Sequence, residues 1–360
     1  MKYGMSKYFF AILILSLLGC GESGKGVRSE FLKNARGEPD EIILVIDSTL
    51  WADTVGLGME VKRTFLAPML GLPQDEPLFN VSKVNPKKLN TTLKLATNMV
   101  FVTTLDSRTS ESRTIQKYFT SQALNQIKRD TSVFMRIRKD EFARGQNVMF
   151  LFGATEEQLA AKLKDNRSQI REFFEESAKK TVQKKLFTKR EKGLERQLME
   201  NHGVKISLPL GWERAKDLKN FVWFRKLGEQ TEQSVFIYYE PYRDRNMFND
   251  IGAFRDRITK TNLRDSEKPS KYIARQEIVN VFTERVNFNG NFAVEARSLW
   301  RISDNSGGGP FVSYTIVDEP NGMIYYIEGY VYSPGTQKKS FMRELEAILA
   351  TFQTPGDLAK

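Results

Sequence analysis

The residues best placed to do chemistry are Asp47, Ser48 and Thr49, which close the apolar run Ile42-Ile43-Leu44-Val45-Ile46. An aspartate at the carboxyl end of a buried strand can hold a metal or accept a phosphoryl group, because α/β ligand sites sit there. A phosphoryl-accepting Asp-x-Asp pair needs a second aspartate where Thr49 stands. A metal site of the form Asp-x-Ser-x-Ser needs a serine where Trp51 stands. Both patterns fail at a required place. The competing reading is that the three residues end the strand and cap the helix that follows. His202 is the only histidine, and it falls in a helix-ending Asn-His-Gly. Zinc sites and Ser–His or Cys–His nucleophile systems therefore lack their usual parts. There is no Gly-x-x-x-x-Gly-Lys-Ser/Thr loop and no dinucleotide fingerprint after the first strand. Neither a cofactor nor a metal is expected. A two-carboxylate glycosidase stays open, because sequence does not give carboxylate separations.

Cys20 is the only cysteine of the 360 residues. It follows Lys2, Lys7, an apolar run from Phe9 to Leu18, and Gly19. A basic start, a short apolar stretch and a small residue before cysteine resemble a bacterial lipoprotein signal, which implies lipidation of Cys20. The run of about ten apolar residues is half of what a spanning helix needs. Several acyl chains would supply stable anchoring. Residues 1–19 read as signal peptide and 20–40 as a flexible tether that opens Gly-Glu-Ser-Gly-Lys-Gly. Gly21 is not an aspartate of the kind that retains lipoproteins in the inner membrane, and no acidic run follows. Resemblance to sorting rules then implies the outer membrane, facing the periplasm.

Removing Lys2 and Lys7 lowers the formal charge from +11 to +9. In an exported protein the partners expected of such charge are anionic lipids or glycans, or acidic envelope proteins, and not nucleic acid. The charge could equally serve solubility alone. With Cys20 lipidated no thiol remains for disulfides, so stability must come from packing.

About 340 residues follow the signal, enough for two domains. Residues 41–155 alternate strand and helix patterns and read as an N-terminal α/β domain. A helix is expected from Ser48 or Thr49 to Met69, another over 112–128, and strands near 79–84, 98–105, 133–138 and 148–152. Over 156–203, Leu159, Leu163, Ile170, Phe174, Val182, Leu186, Leu194 and Leu198 are spaced 4, 7, 4, 8, 4, 8 and 4 apart. That is one helical face, so a long connecting helix is expected. Residues 204–354 read as a C-terminal domain of antiparallel strands with flanking helices. Strands are expected at 204–208, 221–226, 234–240, 273–286, 292–302, 311–317 and 323–331, and helices at 246–261 and 336–352. The whole is α+β: two α/β sandwich-type domains joined by a long amphipathic helix.

Two surfaces are candidate binding sites. Lys180, Lys184 and Lys185 belong to basic pairs along the connecting helix. They read as a face for anionic headgroups or simply as the polar side of a helix. Trp223, Tyr326 and Tyr330 belong to an aromatic strand face that could take sugars or peptides, or that the last helix could cover through Phe341, Leu345, Ile348 and Leu349. The sequence Lys205-Ile206-Ser207-Leu208-Pro209-Leu210-Gly211-Trp212 resembles the start of the photosystem-II oxygen-evolving-protein and Ran-binding Mog1-like fold. With the Leu-Leu-Gly-Cys20 end, the Ile42–Asp47 strand and the basic helix, the chain resembles uncharacterised Bacteroidota lipoproteins grouped as domain of unknown function 4837. That family has no assigned activity and brings no site residues. Two expectations follow: a non-enzymatic binding or assembly module of the envelope, or a metal-dependent hydrolase centred on Asp47.

Overall fold

The computed structural model describes residues 32–360. The expected signal peptide, Cys20 and the tether as far as residue 31 lie outside them. The tether was expected to run to residue 40, but Asn34 bridges Arg144, Arg36 bridges Ala96, and Asp40 is buried. Regular structure starts with β1 (Glu41–Ile46), the Ile/Leu/Val run, which is buried on both faces as a central parallel strand must be. It is followed by α1 (Ser48–Ala52), α2 (Leu57–Phe65), β2 (Asn80–Val84), β3 (Asn98–Thr104), α3 (Ser110–Gln116), α4 (Ser121–Arg129), β4 (Met135–Lys139) and β5 (Asn147–Gly153). The strands form one sheet in the order β2-β1-β3-β5-β4, parallel except for β4. Ile42, Leu44 and Ile46 face α2 and the helices that follow β5, while Ile43 and Val45 face Ile115 of α3 and Ile127 of α4. The domain is thus a three-layer sandwich.

Several expected helices are broken where a polar side chain takes over the backbone. The helix expected to run to Met69 stops at Asp53, whose carboxylate accepts from the N–H groups of Val55, Gly56 and Gly58 at 3.0, 3.0 and 3.1 Å. The helix expected over 112–128 restarts at Thr120, whose hydroxyl caps α4 by accepting from Ala123 N. The long connecting helix is three helices: α5 (Glu156–Asp165), α6 (Arg167–Leu186) and α7 (Lys192–His202). Asn166 makes the first break by donating its amide to the Lys162 carbonyl at 2.8 Å. The second break lets the chain pair elsewhere, with Glu191 N donating to Leu208 O and Leu210 N to Lys189 O. The apolar stripe survives both: Leu159, Leu163, Ile170, Phe174 and Leu198 are buried.

The second domain is a curled antiparallel sheet of β6 (Glu213–Leu218), β7 (Phe221–Leu227), β8 (Glu232–Pro241), β9 (Ile273–Arg275), β10 (Phe282–Phe288), β11 (Asn291–Ile302), β12 (Gly308–Asp318) and β13 (Met323–Tyr332). The order is β10-β11-β12-β13-β8-β7-β6, with β9 on β11. Residues 204–208 form no strand and make a single bridge, Lys205 to Gln353. The strand expected over 273–286 is split between β9 and β10. The edge strand β6, unforeseen in the sequence, carries a bulge between Arg214 and Lys216, which discourages pairing with another chain.

One face of this sheet is packed by α8 (Ile251–Asn262) and the other by α9 (Lys339–Leu349); a last short helix is α10 (Pro355–Leu358). Gly329 admits α9: a Cβ there would stand 2.9 Å from Cβ of Leu345. The α+β class holds for the chain as a whole. The core beneath α9 is continuous with the α2, α5 and α6 side of the first domain. No helix among the described residues is long and apolar enough to cross a membrane.

Candidate functional site

Asp47 stands where the sheet connections diverge, with β2 on one side of β1 and β3 on the other. It is 3% exposed and both its carboxylate oxygens accept hydrogen bonds. Oδ1 accepts from Thr49 N at 2.8 Å, Thr49 Oγ1 at 2.5 Å and Leu50 N at 3.2 Å, and Oδ2 accepts from the Thr109 hydroxyl. Asp47 is the N-cap of α1, so the cap is not Ser48 or Thr49. Ser48 N donates to Glu111 at 2.7 Å, and Asn85 bridges Glu111 and Ser48. Burial pushes the Asp47 pKa up, but the hydrogen bonds from Thr109, Thr49 and Leu50 outweigh it and leave the group below its ordinary value. This is a carboxylate held ionised by four donors, three on Oδ1 and one on Oδ2.

Around it gather Asp53, Asp106 and Glu156. Glu156 has a raised pKa from burial and then from the charges of Asp106, Asp53, Glu157 and Asp47. Among the described residues no three His, Cys, Asp or Glu side chains converge as a metal site would require. His202 is buried between two partners, Asp217 at 2.8 Å from Nε2 and the Tyr239 hydroxyl at 3.1 Å from Nδ1. It ties the end of α7 to the sheet.

The two predicted binding surfaces fare differently. Lys180, Lys184 and Lys185 are exposed on α6. The aromatic face is not a surface: Tyr326 is 0% and Tyr330 2% exposed, and Trp223 is half-buried with its indole N–H on Ser234. The helix that covers it is α8, not the last long helix; α9 with Leu345 and Ile348 lies on the opposite face. The alternation of β13 explains this, since Tyr326, Glu328 and Tyr330 all point to the α8 side. Beneath α8, Arg255 forks onto Glu328 at 2.7 and 2.8 Å, with Tyr326 donating to the same carboxylate at 2.6 Å. A buried, two-bond ion pair fills the place where a ligand face was expected.

Charged contacts between the domains were not visible in the sequence. Glu76 accepts from Lys338 N at 2.7 Å and Lys339 N at 3.0 Å, capping α9 from the other domain. Lys339 pairs with Asp40 at 2.7 Å, and Arg343 donates to Leu78 O at 2.6 Å. Arg297 joins Glu295 and Glu346 close to Glu175. A groove of about 390 Å³ opens between Glu240, Pro241, Arg243, Asp244, Met247 and Arg257. Its Glu240 is already occupied by Arg257 and Tyr238.

Residues 191–351 match the family described as Domain of unknown function (DUF4837), and residues 35–187 match Domain of unknown function (DUF8532). No curated protein matches the chain. Among solved structures, the Saccharomyces cerevisiae Ran-binding protein Mog1p aligns at 10% identity and a TM-score of 0.30, covering 43% of this chain and 92% of that one. Human StAR-related lipid transfer protein 5 aligns at 9% identity and a TM-score of 0.22, covering 50% and 95%. Likenesses this slight say nothing of function. Over residues 191–351, then, the chain matches the DUF4837 family of domains of unknown function.

Proposed function

We propose that the protein is a lipid-anchored module of the cell envelope that binds or assembles with another envelope component and performs no catalysis. The observation that carries the non-catalytic part is the state of Asp47. Asp47, placed as α/β ligand sites use a carboxylate, accepts four hydrogen bonds from Thr49, Leu50 and Thr109. Anchoring through Cys20 and an address at the outer membrane, facing the periplasm, rest on the lipoprotein-like first twenty residues. The partner is an envelope protein or an anionic glycan or lipid, met by exposed basic residues such as Lys180, Lys184 and Lys185.

Crosslinking in intact cells, followed by purification of the tagged protein and mass spectrometry, tests this reading. A stoichiometric envelope component that persists across detergents is expected. The rival hydrolase reading is tested by calorimetric titration of Mg²⁺, Mn²⁺ or Zn²⁺ into the wild type and Asp47→Ala. Equal heats remove it. Metal binding that vanishes in a folded variant would replace the non-catalytic reading.

A further inference from the structure

We propose that the edge of the first sheet where β1, β3 and β5 begin is a docking face for anionic lipid headgroups. This deepens the anchored reading above and rests on it for the position of the membrane.

The chain enters the fold at this edge. Arg144 N donates to Lys33 O at 2.8 Å, Ala35 N to Arg144 O at 2.9 Å, and Arg36 N to Leu95 O at 2.7 Å. Six cations converge around that entry: Lys33, Arg36, Lys94, Lys139, Arg144 and Lys180. A chain of contacts links several of them. Lys94 lies 5.1 Å from the Phe142 ring, in the turn that carries Arg144, and its carbonyl accepts from Gln146 at 2.9 Å. Lys139 stacks 5.1 Å from the Phe173 ring of α6 and donates to Asn147. Asn147 donates in turn to Ser177 at 2.7 Å, one turn before Lys180.

None of the six is ion-paired among the described residues. The neighbouring acids are Asp140, whose charge favours the Lys139 ammonium, Glu141, Glu38 and Glu41. Asp140 accepts from Gly145 N at 2.6 Å and Gln146 N at 3.3 Å, and Glu141 pairs with Arg138 at 2.8 Å. Glu38 is exposed beside them. The Lys139 amine is held below its ordinary pKa by burial and then by the charge of Lys180. Unpaired like charges kept this close repel one another, and an anionic surface relieves that repulsion.

Eleven residues, 21–31, separate Cys20 from the described chain. Fully extended they reach at most ~40 Å. An anchor on Cys20 therefore keeps this edge within ~40 Å of the bilayer, at high effective concentration. At physiological ionic strength the surface potential decays over about 8 Å, so only groups on the nearest edge feel it. Occupant and surface match in sign and in place.

The test uses the full protein purified in detergent and reconstituted into phosphatidylcholine vesicles with or without phosphatidylglycerol. Flotation is measured, and lysines are acylated with a membrane-impermeant reagent. Lys33, Lys94 and Lys180 should be protected at least about threefold in anionic vesicles. That protection should be lost in about 0.5 M salt, while Lys219 and Lys268 of the second domain are unchanged. The double variant Arg144→Glu with Lys180→Glu should lose the protection and still float. Equal labelling in both lipids overturns the docking face. Flotation with neither lipid at high salt overturns the anchor alone, and docking then still requires flotation with anionic vesicles at low salt. Equal protection by soluble polyphosphate without vesicles would reassign the face to a soluble polyanion and overturn the lipid.

Discussion

Asp47 holds the first turn of α1 and the Thr109 hydroxyl at once, so its loss removes a cap and orphans two hydroxyls. Asp47→Ala should cost about 1–2 kcal/mol in chemical denaturation, the scale of a lost N-cap. Its folded pKa is depressed, so the stability it adds is present above the unfolded carboxylate value of about 3.9 and fades as pH falls through the folded value. The gap between wild type and Asp47→Asn should therefore be full at pH 7 and close below about pH 4. Glu175 has the opposite sign. Burial raises its pKa, Glu346 and Glu295 add to the shift, and Arg343 and Arg297 oppose it. The folded protein keeps a proton that the unfolded chain sheds above about 4.3, so stability is lost as pH rises through the folded value. Glu175→Gln should be more stable than wild type at pH 8, with the advantage gone below about pH 4, as read from urea midpoints at each pH. That Asp47-Ser48-Thr49 caps a helix was legible, because Asp-Ser-Thr after an apolar run is a helix start; which of the three is the cap was not. Its partners Thr109 and Glu111 were not, since some sixty residues separate them from it. The charge on Glu175 was equally hidden, because its neighbours come from α9 and β11.

At the scale of elements, α9 begins without a cap of its own and takes one from the other domain. Glu76 is 3% exposed, so removing its carboxylate leaves two buried N–H groups unpaired. Glu76→Ala should destabilise by about 2–6 kcal/mol, from a penalty of about 1–3 kcal/mol for each of the two buried groups left unsatisfied. Thermal unfolding with Glu76→Gln alongside checks it: glutamine keeps one acceptor and should recover part of the loss. Strands and helices of the right kind were legible from apolar period. The breaks at Asp53, Thr120 and Asn166 were not, because each is a side-chain hydrogen bond that competes with an otherwise helical pattern. The aromatic face was misassigned to the last long helix because alternation says which residues share a face and not which helix covers it. β11 to β13 present residues of core type on both sides, and the buried Arg255 that marks the α8 face looks in sequence like any surface arginine.

For the whole molecule, a single apolar core runs from β1 and α2 through α6 to α9 and the second sheet. The two units of unknown function therefore form a continuous body. In the sequence the hydrophobic period changes at Val204, after the connecting segment 156–203. The welding of the halves was not legible there, because it depends on Glu76, Asp40 and Gln183 meeting α9 across more than 160 residues. We propose that this body is tethered to a membrane through Cys20. The most direct measurement is fractionation of cells that express the wild type or Cys20→Ala, with the membranes washed in carbonate. The account predicts that the wild type stays with the membranes and the variant is released. A variant that still pellets after the wash would contradict it.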